Sequence, residues 1–204
     1  PFHVICGNPP YVRHHSLSLD RIHVAREAME RAGFEISRRS SYWAYFVLHC
    51  LNFLRVGGCL AMILPHAFVY ADYAKQLHEY VLDRFRTIRI ISVDELAFKE
   101  AQEKPMLFLA KGFGLRNERL TFLRASSVKD ARDITLRGQY ASNITSVHPG
   151  NITQWNRANV RLETLELYDA LAKDHRVTHL KDWATIHIGV VTGANRFFTL
   201  SQSS

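Results

Sequence analysis

Short apolar runs and longer stretches with apolar residues at helical spacing follow one another along the first half of this chain. Phe2, Val4, Ile5 and Cys6 form an opening β-favouring run that stops at Gly7 and Asn8. Residues 12–40 are basic and polar, with a short helix predicted over 25–32 and closed by Gly33. The stretch 40–55 reads as a largely buried helix, with Ser40 or Ser41 as N-cap and Gly57-Gly58 as its stop. Residues 59–64 form a continuous apolar run ended by Pro65, the mark of a buried parallel strand. Helical spacing returns over 72–85 through Tyr73, Leu77, Tyr80, Val81 and Leu82, and two short strands are predicted over 88–93 and 106–110. This alternation, with Gly and Pro between the blocks, predicts an α/β sheet.

Beyond Lys111 the pattern loosens. Residues 120–123 suggest one more strand, and 125–160 read as a connector rich in Ser, Asn, Gly and Arg. A helix is predicted over 162–172, with Leu165, Leu167, Tyr168 and Leu171 as its apolar set. Two β-like runs around Gly193-Ala194-Asn195 follow within 186–200. A domain boundary is expected near residue 125.

Composition narrows the class. The 204 residues are 47% hydrophobic and 22% charged, enough to bury a core and outside the disordered range. A formal net charge of +7 suits a polyanionic partner. Cys6, Cys50 and Cys59 are odd in number, lie in apolar surroundings and have no metal-ligand spacing, so they read as buried free thiols of a reducing compartment. Residues 42–54 are apolar but too short for a membrane span. The expectation is a cytoplasmic protein with no bound metal. The chain opens at Pro1 with a strand almost at once, which reads as a piece of a longer protein.

The candidate chemistry lies at the end of the first strand. Neither Pro9 nor Pro10 has an N–H for a sheet ladder, and Asn8 precedes a proline, so the strand must end in a rigid extended kink. A polar side chain and an aromatic ring then stand where open α/β sheets place their ligands. Asn8 offers a side-chain carbonyl and Pro9 a backbone carbonyl held by fixed φ angles, and neither is charged at neutral pH. Such acceptors suit an exocyclic amine, which is a poor nucleophile until its lone pair is drawn out of conjugation. Tyr11 offers a π-face for a base removed from its stack, worth about 1–3 kcal/mol against the few kcal/mol that flipping costs.

With its context, Asn8-Pro9-Pro10-Tyr11 resembles motif IV of the S-adenosylmethionine-dependent amino-methyltransferases, above all the adenine-specific DNA methyltransferases of restriction-modification systems. The stretch 42–69 resembles the helix, Gly-Gly turn, strand and proline of the following motifs. The stretch 94–112 resembles the region where the family sets an aromatic residue opposite the motif IV tyrosine, here Phe98, before an antiparallel last strand. Residues 188–200 resemble the opening of a target-recognition region. The resemblance covers most of 1–115 and roughly 151–200.

It implies the C-terminal half of a Rossmann-like methyltransferase sheet over 1–125, then a connector and the start of a DNA target-recognition domain over 126–204. Asn8, Pro9 and Tyr11 become the catalytic candidates, Pro10 and Phe98 the substrate-binding ones. Arg13, His14 and Lys104 become candidate contacts to the phosphates of double-stranded DNA, within a basic run from Arg13 to Arg39. A nuclease domain or subunit is the expected companion in the parent protein. The cofactor implied is S-adenosylmethionine, but the glycine-rich loop and ribose-binding acid that hold it precede motif IV in this family. His3 stands near a position that is commonly acidic there. A piece without those elements is expected to be inactive alone. Two alternatives stay open: the same motif serves methylation of a protein glutamine amide or of a guanine amine in ribosomal RNA, and another reading makes the chain alone a non-catalytic DNA-binding piece.

Overall fold

The computed structural model describes residues 1–12, 19–31, 33, 34, 40–94, 105–137, 144–147, 155, 160 and 162–185. Six strands form one sheet in the order β1-β2-β4-β3-β5-β6: β1 Phe2–Gly7, β2 Leu54–Pro65, β3 Phe85–Val93, β4 Pro105–Phe113, β5 Arg119–Ala125 and β6 Ile144–Val147. β1 is parallel to β2, and β3 to β5. β4 lies between β2 and β3 and is antiparallel to both. The antiparallel strand expected from the run at 106–110 is therefore an inserted central one. β6 adds antiparallel to β5.

The connections explain the faces. Helices α1 (Leu19–Arg31) and α2 (Tyr42–Leu51) join β1 to β2, and α3 (Ala67–Tyr70), a 3-10 turn and α4 (Lys75–Arg84) join β2 to β3. Strands buried on both sides read as unbroken apolar runs; that at 59–64 does so, whereas that at 88–93 is interrupted by Arg89 and Ser92. Leu60, Leu64, Ile88, Ile90, Phe108 and Leu120 face the main core with Trp43, Val47, Leu48, Leu77 and Val81 of the helices. Ile91, Val93, Leu123 and Ala125 face a smaller cluster, closed by Ala131 and Ile134 of α5 (Val128–Arg137).

Several expectations change. α2 ends at Leu51, and Gly57-Gly58 lies inside β2 rather than at a helix end. Gly57 has φ +77°, and a Cβ on Gly58 would lie 2.8 Å from the Arg55 carbonyl oxygen and 3.2 Å from that of His3. The two glycines build an irregularity in β2, where the register jumps from Phe2 opposite Leu54 to Val4 opposite Cys59. The stretch 125–160 is not merely a connector, since it contributes α5 and β6. By contact density the first compact unit runs Pro1–Leu165 and the second Glu166–Ser204. The helix expected at 162–172 is α6, Leu162–Lys173. The β-like runs within 186–200 lie outside the described residues. Cys6 is exposed, not buried, while Cys50 and Cys59 are half-buried; all three are free thiols, and burial pushes the Cys50 thiol up. In α2, Trp43 and Tyr45 are core, but Phe46 is 38% exposed.

In the second unit the chain turns after α6. The forked guanidinium of Arg176 donates to Asp174, and the indole N–H of Trp183 donates to the Thr178 hydroxyl oxygen at 2.6 Å. No helix among the described residues is long and apolar enough to cross a membrane.

Candidate active site at the end of the first strand

Gly7, the last residue of β1, is opposite Met62 of β2, which runs on through Ile63, Leu64 and Pro65. The chain therefore leaves the sheet at Asn8 beside the last residues of β2. Asn8 is exposed, Pro9 buried, Pro10 exposed and Tyr11 half-buried. The half-buried Tyr11 ring packs against the main core. Val12 fixes the exit from the turn: its carbonyl accepts the backbone N–H of Tyr42, the first residue of α2, at 3.1 Å. The predicted rigid kink is thus tied at both ends, by the β1–β2 ladder and by the start of a buried helix.

Three more chain ends meet at this end of the sheet. Pro65 closes β2 directly opposite Pro105, which opens β4. β3 leaves at the same end, because Ser92 is opposite Met106. Asp94 follows, held by a backbone N–H to the Ala125 carbonyl at 2.9 Å and by Arg124, whose Nε donates to both carboxylate oxygens at 2.8 and 2.9 Å. Phe98 and Lys104 lie outside the described residues, but the described flanks of their segment, Asp94 and Pro105, stand at this end. Arg13 and His14 also lie outside the described residues. Within the basic run, His23 faces Glu27 and Arg26 faces Glu30 at 3.2 Å each, one helical turn apart. Those two bases of α1 are engaged along their own helix.

His66 and Tyr70 were not anticipated. His66 follows Pro65 at this end, its ring 5.7 Å from that of Tyr70, which is 55% exposed. The pair hid in sequence because Pro65 reads only as a strand stop.

The arrangement can accept two hydrogen bonds from an amine through Asn8 and the Pro9 carbonyl, neither of which ionises, and can support a planar ring on Tyr11. No group of three or more metal-ligating side chains occurs among the described residues. A cofactor cradle for S-adenosylmethionine does not fit the described residues either. The turns leaving β1, β2 and β3 begin Asn8-Pro9, His66-Ala67 and Asp94, and none is glycine-rich.

Residues 1–98 match the family model of the Eco57I restriction-modification methylase, and residues 152–204 match that of the C-terminal domain of the type II methyltransferase M.Eco57I. The type II methyltransferase M.AccI of Acinetobacter calcoaceticus is 22% identical over 203 residues, covering 98% of this chain and 37% of that protein. M.BstVI of Geobacillus stearothermophilus is 22% identical over 211 residues, covering 97% of this chain and 37% of its own length. The chain thus spans 37% of the length of these curated relatives. Two solved structures share the fold. One is the type IIG restriction endonuclease BpuSI, at a TM-score of 0.57 and 16% identity over 83% of this chain and 22% of that one. The other is the methyltransferase subunit of a type I restriction-modification system from Streptococcus thermophilus, at 0.55 and 17% over 79% and 37%. One Eco57I model thus matches the strand and turn that carry Asn8–Tyr11 and the other the C-terminal stretch, so two separate stretches of the chain are similar to the restriction-modification methylases of the Eco57I family.

Proposed function

We propose that this chain supplies the base-binding and amine-accepting part of an adenine-specific DNA methyltransferase. The supporting observation is the turn Asn8-Pro9-Pro10-Tyr11 at the carboxyl end of a parallel strand, with Asn8 exposed and Tyr11 braced against the core. The adenine swings out of the duplex and lies against Tyr11, with Pro10 beside it and Phe98 on its other face. Its amine donates one hydrogen to the Asn8 carbonyl and the other to the Pro9 carbonyl. As these bonds shorten, the nitrogen pyramidalises and its lone pair turns towards the methyl group, which S-adenosylmethionine supplies. Stabilisation that grows towards the tetrahedral amine accelerates the chemical step rather than binding alone.

In this reading residues 1–125 belong to the catalytic half, and 126–204 lead into target recognition. Arg13, His14 and Lys104 contact phosphates of double-stranded DNA, and a nuclease domain or subunit accompanies the methylase in a cytoplasmic restriction-modification system. Since the described residues form no cofactor cradle, the chemistry needs the rest of the parent protein. The test is single-turnover methylation of adenine in duplex DNA by the full-length methylase and its Asn8→Ala variant. A fall of about 10²-fold or more in rate, with much smaller loss of DNA affinity, is expected. Equal rates in a folded variant would reduce the turn to a strand terminator.

A further inference from the structure

Trp155 lies inside the stretch 152–204 that matches the C-terminal domain of M.Eco57I, yet it is 1% exposed and sits in the main core of the first unit. Three elements grip it. Its indole lies flat on the ring of His78 in α4, with centroids 3.9 Å apart and planes 5° apart. Phe68 of α3 and Phe122 of β5 meet it edge to face, each at 5.5 Å, with interplanar angles of 81° and 88°. Stacked and edge-to-face pairs prefer definite angles, so this packing sets the orientation of the indole as well as its depth. His78 is itself fixed, because its Nε2–H donates to the Phe68 carbonyl at 2.5 Å. Phe68 belongs to the short helix that follows Pro65, at the sheet end that carries Asn8–Tyr11. Apart from Trp155 itself, the rings of this cluster come from residues 68, 78 and 122, well before the C-terminal stretch.

We propose that Trp155 is a positioning residue, a pin that fixes the start of the C-terminal stretch to the methylase sheet and thereby sharpens discrimination between target duplexes. The proposal rests on the DNA methyltransferase reading above. It makes the indole a determinant of target discrimination without contact to DNA. A ring at this place transmits register, since a segment free to shift would let near-cognate duplexes reach the turn.

The test compares Trp155→Ala, Trp155→Phe and Phe85→Leu in the full-length methylase. Phe85 is fully buried at the opposite end of the sheet, against Phe113, and serves as a control for lost stability alone. Rates are read on a cognate duplex and on one with a single mismatched base pair. Trp155→Ala should lower the cognate-to-mismatch ratio at least tenfold, Trp155→Phe should restore most of it, and Phe85→Leu should keep the wild-type ratio at a comparably lowered melting temperature. An unchanged ratio in Trp155→Ala, or an equal loss in Phe85→Leu, overturns the proposal. Amide hydrogen exchange on the present chain supplies a second readout. Trp155→Ala should speed exchange in β6 while leaving the β2 ladder protected, Trp155→Phe should speed it less, and unchanged protection of β6 in Trp155→Ala overturns the pin whatever the chemistry. A wild-type methylase that transfers no methyl group to DNA would instead overturn the functional reading.

Discussion

Pro65, the last residue of β2, stands directly opposite Pro105, the first residue of β4. Neither has an N–H to donate, so the ladder between the two strands ends at this pair and the chains part. On the other side of β4, Arg124 and the Ala125 carbonyl hold Asp94, where β3 gives way to the segment carrying Phe98 and Lys104. Both ends of that segment are therefore tied beside the strand end from which Asn8 emerges.

That placement separates the roles of the rings. Tyr11→Ala and Phe98→Ala in the full-length methylase should each weaken capture of the extrahelical adenine by about 1–3 kcal/mol. If Tyr11 acts through its π-face rather than its hydroxyl, as proposed, Tyr11→Phe should keep most of the activity. A fluorescent adenine analogue at the target site reports the flipped population, and an effect of Tyr11→Phe as large as that of Tyr11→Ala would sink the stacking role.

The glycine pair in β2 gives a prediction on stability. Gly58→Ala places a methyl 2.8 Å from the Arg55 carbonyl oxygen and 3.2 Å from that of His3, both backbone atoms. β1 must move away from β2, at about 1–3 kcal/mol. Gly57→Ala meets open space but must adopt φ +77°, at about 1–2 kcal/mol. Urea unfolding of both variants checks this, and the distinguishing result is faster hydrogen exchange in β1 for Gly58→Ala alone.

His78 makes stability depend on pH. It is 2% exposed, and burial pushes its pKa down to about 4 despite the hydrogen bond to Phe68. The unfolded chain takes up this proton near pH 6.5, whereas the folded protein leaves the imidazole neutral until about pH 4. Between those values the unfolded state binds more protons, so stability falls as pH drops, by up to about 3 kcal/mol across the window. Above pH 6.5 the contribution is flat. Denaturant midpoints measured from pH 7 to pH 4 should show this slope, and His78→Phe should flatten it.

The net charge of +7 predicts non-specific affinity for duplex DNA that drops steeply with salt through counterion release. A titration in which affinity stays level from low to physiological salt would remove the basic residues from the interface.

The strands of this sheet were legible where burial on both faces leaves an unbroken apolar run, as in β2, or a mostly apolar one, as in β3, and the Asn8–Tyr11 turn was legible because two adjacent prolines leave the backbone little choice. α5 was missed because it buries only Ala131 and Ile134 on an otherwise polar helix. Its start was nevertheless signalled: the Asp130 backbone N–H donates to the Ser127 hydroxyl oxygen at 3.1 Å, and the Asp130 carboxylate accepts the backbone N–H of Ser126 at 2.9 Å. The Gly57-Gly58 pair misled because a glycine after an apolar helix and a glycine inside a bulged strand look alike in one dimension. Only the approach of the His3 carbonyl distinguishes them. The grip on Trp155 was beyond reach, since it joins residues 68, 78, 122 and 155 through side-chain angles alone.

The insertion of β4 between β2 and β3 also sets a timetable for synthesis. Both sheet neighbours of β3, namely β4 and β5, follow it in the chain. A growing polypeptide from which Val93 has just emerged carries β1 and β2, which can pair, and a β3 with no strand yet outside the ribosome to receive it. At the usual pace of translation, residues 94–113 take roughly 1 to 4 s to appear. Throughout that interval β3 is an open apolar edge, able to pair wrongly with a neighbouring chain. Slowing the emergence of residues 94–113 from the ribosome should therefore raise aggregation of the newborn protein, and the same delay imposed once Phe113 has emerged should not.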